Sequence, residues 1–189
     1  LGTDDGLYRY DGQEFKLFKH DLEQRYSLPE NRINSSFFED DAGNIWFSTF
    51  HTLVCYRPRQ NVFIPYTIPD LSANNYRPFH LEDGKIWLSI HGDGGVKLWH
   101  FEIKTAQFIP SVSLNGSHQK FHFDPSSQTQ QIISFDLDHS GLIITDLPKG
   151  SSSKVDFTQR ISSSSSRFES NTKAVFIDPS GNIWVGLYN

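Results

Sequence analysis

The sequence predicts an all-β chain of repeated four-stranded antiparallel sheets, and three observations carry that prediction. First, a phrase recurs along the 189 residues: a short apolar strand, an acidic turn with Gly, then a strand bearing Trp. It reads Phe37-Phe38-Glu39-Asp40-Asp41-Ala42-Gly43-Asn44-Ile45-Trp46-Phe47, then Leu81-Glu82-Asp83-Gly84-Lys85-Ile86-Trp87, then Phe176-Ile177-Asp178-Pro179-Ser180-Gly181-Asn182-Ile183-Trp184. Second, a weaker copy with Ile144 in the Trp position completes a series of anchors at 46, 87, 144 and 184, spaced by 41, 57 and 40 residues. Third, Gly6-Leu7-Tyr8-Arg9-Tyr10 returns as Thr52-Leu53-Val54-Cys55-Tyr56 and as Gly95-Val96-Lys97-Leu98-Trp99, each followed by a Phe, at Phe15, Phe63 and Phe108. Strand-filled periods near 40 residues mark a radial or stacked β-repeat, and four strands in that length is the size of a propeller blade.

One unit shows why each strand is expected. Ile33 to Glu39 reads as a first apolar strand, and Asp40 to Asn44 supplies turn chemistry in which Gly takes a positive φ. Ile45 to Thr49 is a second strand, with Trp46 and Phe47 on opposite faces. Leu53 to Tyr56 is a third, and Arg57-Pro58-Arg59-Gln60-Asn61 turns the chain into a fourth, Val62 to Tyr66. Extended over the chain, this gives outer strands over about 1–28 and full blades over about 31–70, 74–112 and 118–160. The first strands of a further blade follow over about 170–189. Four periods are few for a closed ring, so further blades or a second copy are expected as partners.

The repeat assigns structural roles. Trp46, Trp87 and Trp184 are expected to fill the space between sheets, because a single sheet cannot bury both faces, and Gly43, Gly84 and Gly181 to close the turns. The acidic turns Glu39-Asp40-Asp41 and Glu82-Asp83 contain the oxygens that Ca²⁺ needs, but Asp capping a β-turn explains their recurrence more simply. The third full unit is the least regular. Its polar tracts, Pro125 to Gln131, Ser151 to Ser153 and Ser162 to Ser166, are expected to be solvated loops or frayed connections.

Composition narrows the function. A net charge of −5 and no basic stripe argue against nucleic acid as a partner. The single Cys55, set in an apolar strand, excludes an internal disulfide and is expected to be a buried small hydrophobe. The lack of any Met, including at position 1, fits an internal piece of a longer protein. No phosphate loop, nucleophile elbow, Cys-x-x-Cys pair or His-Glu-x-x-His helix is present. His118 and His122 share a strand face but would lie about 13 Å apart, too far for one ion, so no metal or other cofactor is expected.

The links between second and third strands differ where the rest of the repeat is alike. They carry Asp4-Asp5, Phe50-His51, Ile90-His91-Gly92-Asp93-Gly94 and, at the end, Tyr188-Asn189. Radial architecture would gather such links on one face, where His, Asp, Tyr and Asn can hydrogen-bond sugar hydroxyls and an aromatic can stack on a sugar ring. The links before the first strands, with Asn31-Arg32 and Asn74-Asn75-Tyr76-Arg77, offer a second set. The candidate ligand-binding residues are therefore His51, His91, Asp93, Arg32, Arg77 and Tyr188, with no catalytic residue among them. The plain alternative is that all are solvated loop tips.

Ser27-Leu28-Pro29-Glu30-Asn31-Arg32-Ile33-Asn34-Ser35, leading to Glu39-Asp40-Asp41-Ala42-Gly43-Asn44-Ile45-Trp46-Phe47-Ser48-Thr49, together with the Gly6-to-Asp11 phrase, resembles the two-component regulator propeller repeat. The resemblance covers nearly the whole chain and is strongest over 1–108 and 171–189. It implies the non-catalytic periplasmic sensor region of an inner-membrane-anchored hybrid histidine kinase and response regulator. Such a region would detect oligosaccharides from polysaccharide breakdown and signal to a downstream kinase region. Ser48 and Thr52 stand where the repeat usually has Gly, and Ile144 where it has Trp. Two other classes fit a propeller: a lyase of the streptogramin- or glycan-cleaving kind, with His51 or His91 as base, and a structural propeller that mediates dimerisation.

Overall fold

The computed structural model describes residues 1–33, 36–69, 75–92, 95–114, 118–123, 131–136, 141–147, 149–156, 172–178, 180 and 182–187. Two compact units divide the chain: Leu1–Asp93 with Leu98–Pro110, and Gly94–Lys97 with Ser111–Asn189. The described residues form strands and turns and no helix.

In the first unit, β1 (Gly2–Thr3), β2 (Gly6–Tyr10) and β3 (Phe15–Phe18) make a three-stranded antiparallel sheet. A four-stranded sheet follows, with β4 (Phe38–Glu39), β5 (Ile45–Ser48), β6 (Thr52–Arg57) and β7 (Val62–Thr67) in chain order. The next four-stranded sheet, mainly in this unit, is β8 (Asn75–Glu82), β9 (Lys85–Gly92), β10 (Gly95–Glu102) and β11 (Gln107–Leu114).

Alternation along β5 decides the core. Trp46, 2 % exposed, packs with Leu53, Cys55, Ile68, Tyr76, Ile86, Leu88, Ile90 and Phe101. Its neighbour Phe47 faces the other way, into a cluster with Leu7, Phe18, Leu28, Ile33, Val54, Tyr56 and Phe63. The β4–β7 sheet thus buries both faces against its neighbours in the unit, as the period-2 pattern predicts. Trp87 is also buried, with the His100 ring 5.1 Å away.

The first strand of the second sheet is shorter than the sequence suggests. Ile33 donates its N–H to Thr3 O at 3.0 Å, beside β1, so β4 begins only at Phe38.

The two departures from Gly have local explanations. Ser48 is fully buried and its hydroxyl donates to Tyr76 O at 3.2 Å. At the start of the third strand, Gly6 has φ 141° and a Cβ there would strike Phe18 O. In the next repeat Thr52 avoids the positive-φ region and its hydroxyl meets that of Thr49.

In the second unit, β12 (His118–Phe123), β13 (Gln131–Asp136), β14 (Gly141–Asp146) and β15 (Ser151–Asp156) form a four-stranded sheet, and β16 (Thr172–Ile177) pairs with β17 (Ile183–Leu187). Two expectations change here. Ile144 lies on the third strand of its sheet, whereas Trp46 and Trp87 lie on the second. It sits opposite Ile133 of β13, so the Trp46 place is taken by Ile133 and the Cys55 place by Ile144, which accounts for the irregular spacing of 57. Ser151 to Ser153, expected as loop, begin the edge strand β15. Their side chains are exposed while the backbone pairs with β14, because a ladder needs backbone partners and not apolar side chains. The tracts at 125–130 and 162–166 lie outside the described residues.

Candidate ligand-binding site

The site grows from two equivalent hairpin tips. Thr3 pairs with Gly6 around Asp4-Asp5, and Thr49 donates its N–H to Thr52 O around Phe50-His51. Two-residue connections hold their side chains at the end of the strands, clear of both sheet faces. Thr3 Oγ1 fixes the first tip, donating to Gly6 O at 2.9 Å and accepting from Asp5 N at 3.2 Å.

The chain then returns to these tips through residues 19–33. Asn31 Oδ1 accepts the N–H of His20 at 2.7 Å, and the His20 ring meets Leu28 O at 2.8 Å, which fixes this segment upon itself. Leu28 and Ile33 are buried at its end. Glu30 and Arg32 are thereby delivered to the second tip. One Glu30 oxygen accepts the N–H of Phe50 at 3.0 Å, and the other lies 3.1 Å from His51 Nδ1. Arg32 Nε lies 3.1 Å from Asp4 Oδ1, and its guanidinium sits 5.8 Å over the Phe50 ring. Arg32 therefore spans both tips, pairing with one and covering an aromatic of the other. Lys19 pairs with Asp5 at 2.8 Å, a hydrogen bond that holds its ammonium above the ordinary pKa. The His51 side chain is 63 % exposed, so its ring is held on one side and open to solvent on the other.

Of the expected site residues, the structure brings His51 and Arg32 together with Asp4, Phe50 and Glu30. It does not place His91 and Arg77 in links. His91 lies in β9 and pairs in register with Asn75, its Nε2 3.1 Å from Ser89 Oγ. Arg77 lies in β8 opposite Ser89, with an exposed side chain. Both strands run on to eight residues, and beyond a register shift between Pro78 and His80 the pairing resumes as far as Asn75 and His91, so residues that read as polar links become ladder. Asp93, Tyr188 and Gly181 lie outside the described residues.

Sequence reasoning missed Glu30 as a partner of the tip. It precedes His51 by 21 residues, and no local spacing rule joins them; only the folded return of the chain does.

The acidic turns explain themselves locally. Asp40 Oδ1 accepts the N–H groups of Ala42 and Asn44, and Oδ2 accepts the Asn44 side-chain amide and the Trp46 indole. Gly43, at φ 77°, donates back to Asp40 O at 2.8 Å. Partial burial pushes the Asp40 pKa up, but the hydrogen bonds from Trp46, Asn44 and Ala42 outweigh it and leave the carboxyl below its ordinary value. Asp178 makes the same set with Ser180, Asn182 and Trp184, and its pKa falls to about 2, first through the Asn182 side chain. The Glu82-Asp83-Gly84-Lys85 turn is a different device: Asp83 and Gly84 both have positive φ, at 48° and 71°, in a tight two-residue hairpin. Among the described residues no three His, Cys, Asp or Glu side chains converge to hold a metal.

One expected core residue is corrected. Trp184 keeps the bond to its turn carboxylate but is 62 % exposed, because β16 and β17 form a sheet of two strands whose Trp face is left uncovered among the described residues.

Successive four-stranded antiparallel sheets, each with its strands in chain order, define a β-propeller architecture. Solved structures agree. The chain superposes on the extracellular domain of BT4673 from B. thetaiotaomicron, described in one structure as a one-component system and in another as a hybrid two-component system. The TM-scores are 0.70 and 0.69, at 22 % sequence identity, over 98 % of this chain. The chain spans only 24 % of the length of those domains. Residues 27–51 match the family model described as two component regulator propeller. That stretch contains Glu30, Arg32, Trp46, Phe50 and His51. No curated protein gave a significant match.

Proposed function

We propose that this chain is part of the ligand-binding propeller of a two-component sensor, and that the tip surface around Arg32 and His51 contacts an oligosaccharide. The observation that carries the reading is Arg32 joining Asp4 of one hairpin tip to Phe50 of the next, while Glu30 fixes Phe50 and His51. Carboxylates, an imidazole and an aromatic ring held at one end of the strands match the needs of a polyhydroxylated ligand. A propeller match over 27–51 and likeness to the extracellular domain of a system described as hybrid two-component support the sensor setting.

In this reading the segment performs no chemistry. It lies in the periplasmic part of an inner-membrane-anchored receptor, packed against further blades or a second copy through surfaces such as the exposed Trp184 face. Ligand binding shifts a downstream kinase only to the extent that it favours one receptor conformation over another. No helix among the described residues is long and apolar enough to cross a membrane.

A carboxylate orienting an exposed imidazole is also how a general base is built, and the Glu30–His51 pair gives the lyase reading its one specific observation. Affinity capture from an oligosaccharide library by the intact protein, with mass analysis of the retained sugars, separates the readings. Intact retained oligosaccharides are expected. Shortened or unsaturated products would transfer the protein to the lyases, and an empty column would favour a structural propeller.

A further inference from the structure

We infer that the tip surface selects neutral oligosaccharides and turns away those bearing uronate, sulfate or phosphate groups; this rests on the ligand reading above. The charges at the tips are already committed to one another. Two side-chain cations among the described residues at the tips are engaged by carboxylates, Arg32 by Asp4 at 3.1 Å and Lys19 by Asp5 at 2.8 Å. A third carboxylate, Glu30, is shared between the Phe50 N–H and the His51 ring, neither of them a permanent cation. Three carboxylates thus stand beside two cations, and an anionic ligand that reaches the remaining N–H groups of Arg32 must share that cation with Asp4 and lie among like charges.

Neutral hydroxyls meet the opposite situation. They donate to carboxylate lone pairs that remain accessible, since the Asp4 side chain is 87 % exposed and that of Glu30 29 %. Phe50, half-buried and fixed through its own N–H, offers carbon surface for a sugar face. In water a like charge at about 4 Å changes an affinity by about fivefold, so the discrimination expected is modest per charge and grows with each acidic residue of the sugar.

The test is a glycan array carrying neutral hexose oligosaccharides beside hexuronate and sulfated oligosaccharides of matched length, probed with the intact protein and four variants. Arg32→Ala and His51→Ala locate the site, while Glu30→Gln and Asp4→Asn remove charge with little change of shape; thermal melting verifies that each is folded. The wild-type protein should bind neutral sugars, and the two charge variants should raise acidic-sugar binding about fivefold relative to the neutral partner. Binding to acidic sugars that Arg32→Ala and His51→Ala abolish would overturn the charge inference while leaving the site in place. An acidic-to-neutral ratio unmoved by both charge variants would also overturn it. No bound sugar, or binding indifferent to Arg32→Ala and His51→Ala, would remove the site reading and this inference with it.

Discussion

The Trp46 indole N–H donates to Asp40 Oδ2 across 2.8 Å, and Trp184 repeats the bond to Asp178 across 3.1 Å. One carboxylate therefore closes a β-turn and orients the aromatic that fills the core between sheets. Asp40→Ala removes the acceptor of four N–H groups, including the indole of a residue that is 2 % exposed. A loss of about 2 kcal/mol is expected in urea unfolding, the range for hydrogen bonds to a charged group. Asp40→Asn, which keeps one oxygen acceptor, should lose less.

The same carboxylates give the fold an acid-sensitive component. A carboxyl whose folded pKa lies below its unfolded value stabilises fully above the unfolded value, and loses that contribution as pH falls through the folded one. Asp40 and Asp178 both lie below the ordinary 3.8, and Asp178 reaches about 2. Stability should therefore fall between about pH 4 and pH 2, and the double variant Asp40→Asn, Asp178→Asn should show a flatter slope across that window. Denaturant unfolding at a series of pH values reads this directly. An unchanged slope would mean that both turns form equally well with neutral acids.

Burial ranks the tryptophans. Trp46→Ala and Trp87→Ala each open a cavity in a packed core and should cost about 3–5 kcal/mol. Trp184→Ala should cost clearly less when made in this chain alone, since its ring is 62 % exposed. Thermal unfolding of the three variants gives the ranking, and equal losses would show that the last Trp is covered.

Cys55 is 1 % exposed, and burial pushes its thiol up to about 11. The native protein should leave a disulfide-exchange reagent unconsumed at pH 8, and react with one equivalent only after unfolding. Fast native labelling would show that β6 opens readily.

Much of the fold was legible because its signals are periodic. The Trp46 phrase specified β4 and β5, and the opposite faces of Trp46 and Phe47 followed from alternation alone. What escaped depended on partners distant in sequence. The N–H of Ile33 goes to Thr3, which shortens β4, and nothing local to either residue signals the bond. Asn75 to Arg77 look like a polar link until the strand across from them supplies Ser89 to His91. Ile144 resembles a missing Trp because it follows an Asp- and Gly-bearing phrase, yet it lies on the third strand of its sheet, opposite Ile133 of the second. Of the expected ligand-binding residues, His51 came from the links between second and third strands, which differ between repeats, and Arg32 from the links before the first strands; the fold brings both to the hairpin tips. Glu30 did not stand out, because its role is set by where residues 19–33 return and by no pattern within them.

Hydrogen–deuterium exchange of the intact protein, with and without a mixed oligosaccharide pool, tests whether the hairpin tips form a ligand surface. Peptides covering 28–33 and 49–52 should gain protection when sugar is present, with the Trp46 core strand unchanged. Protection confined to other segments, with those two peptides exchanging at the same rate, would mean that the tips are not the ligand surface.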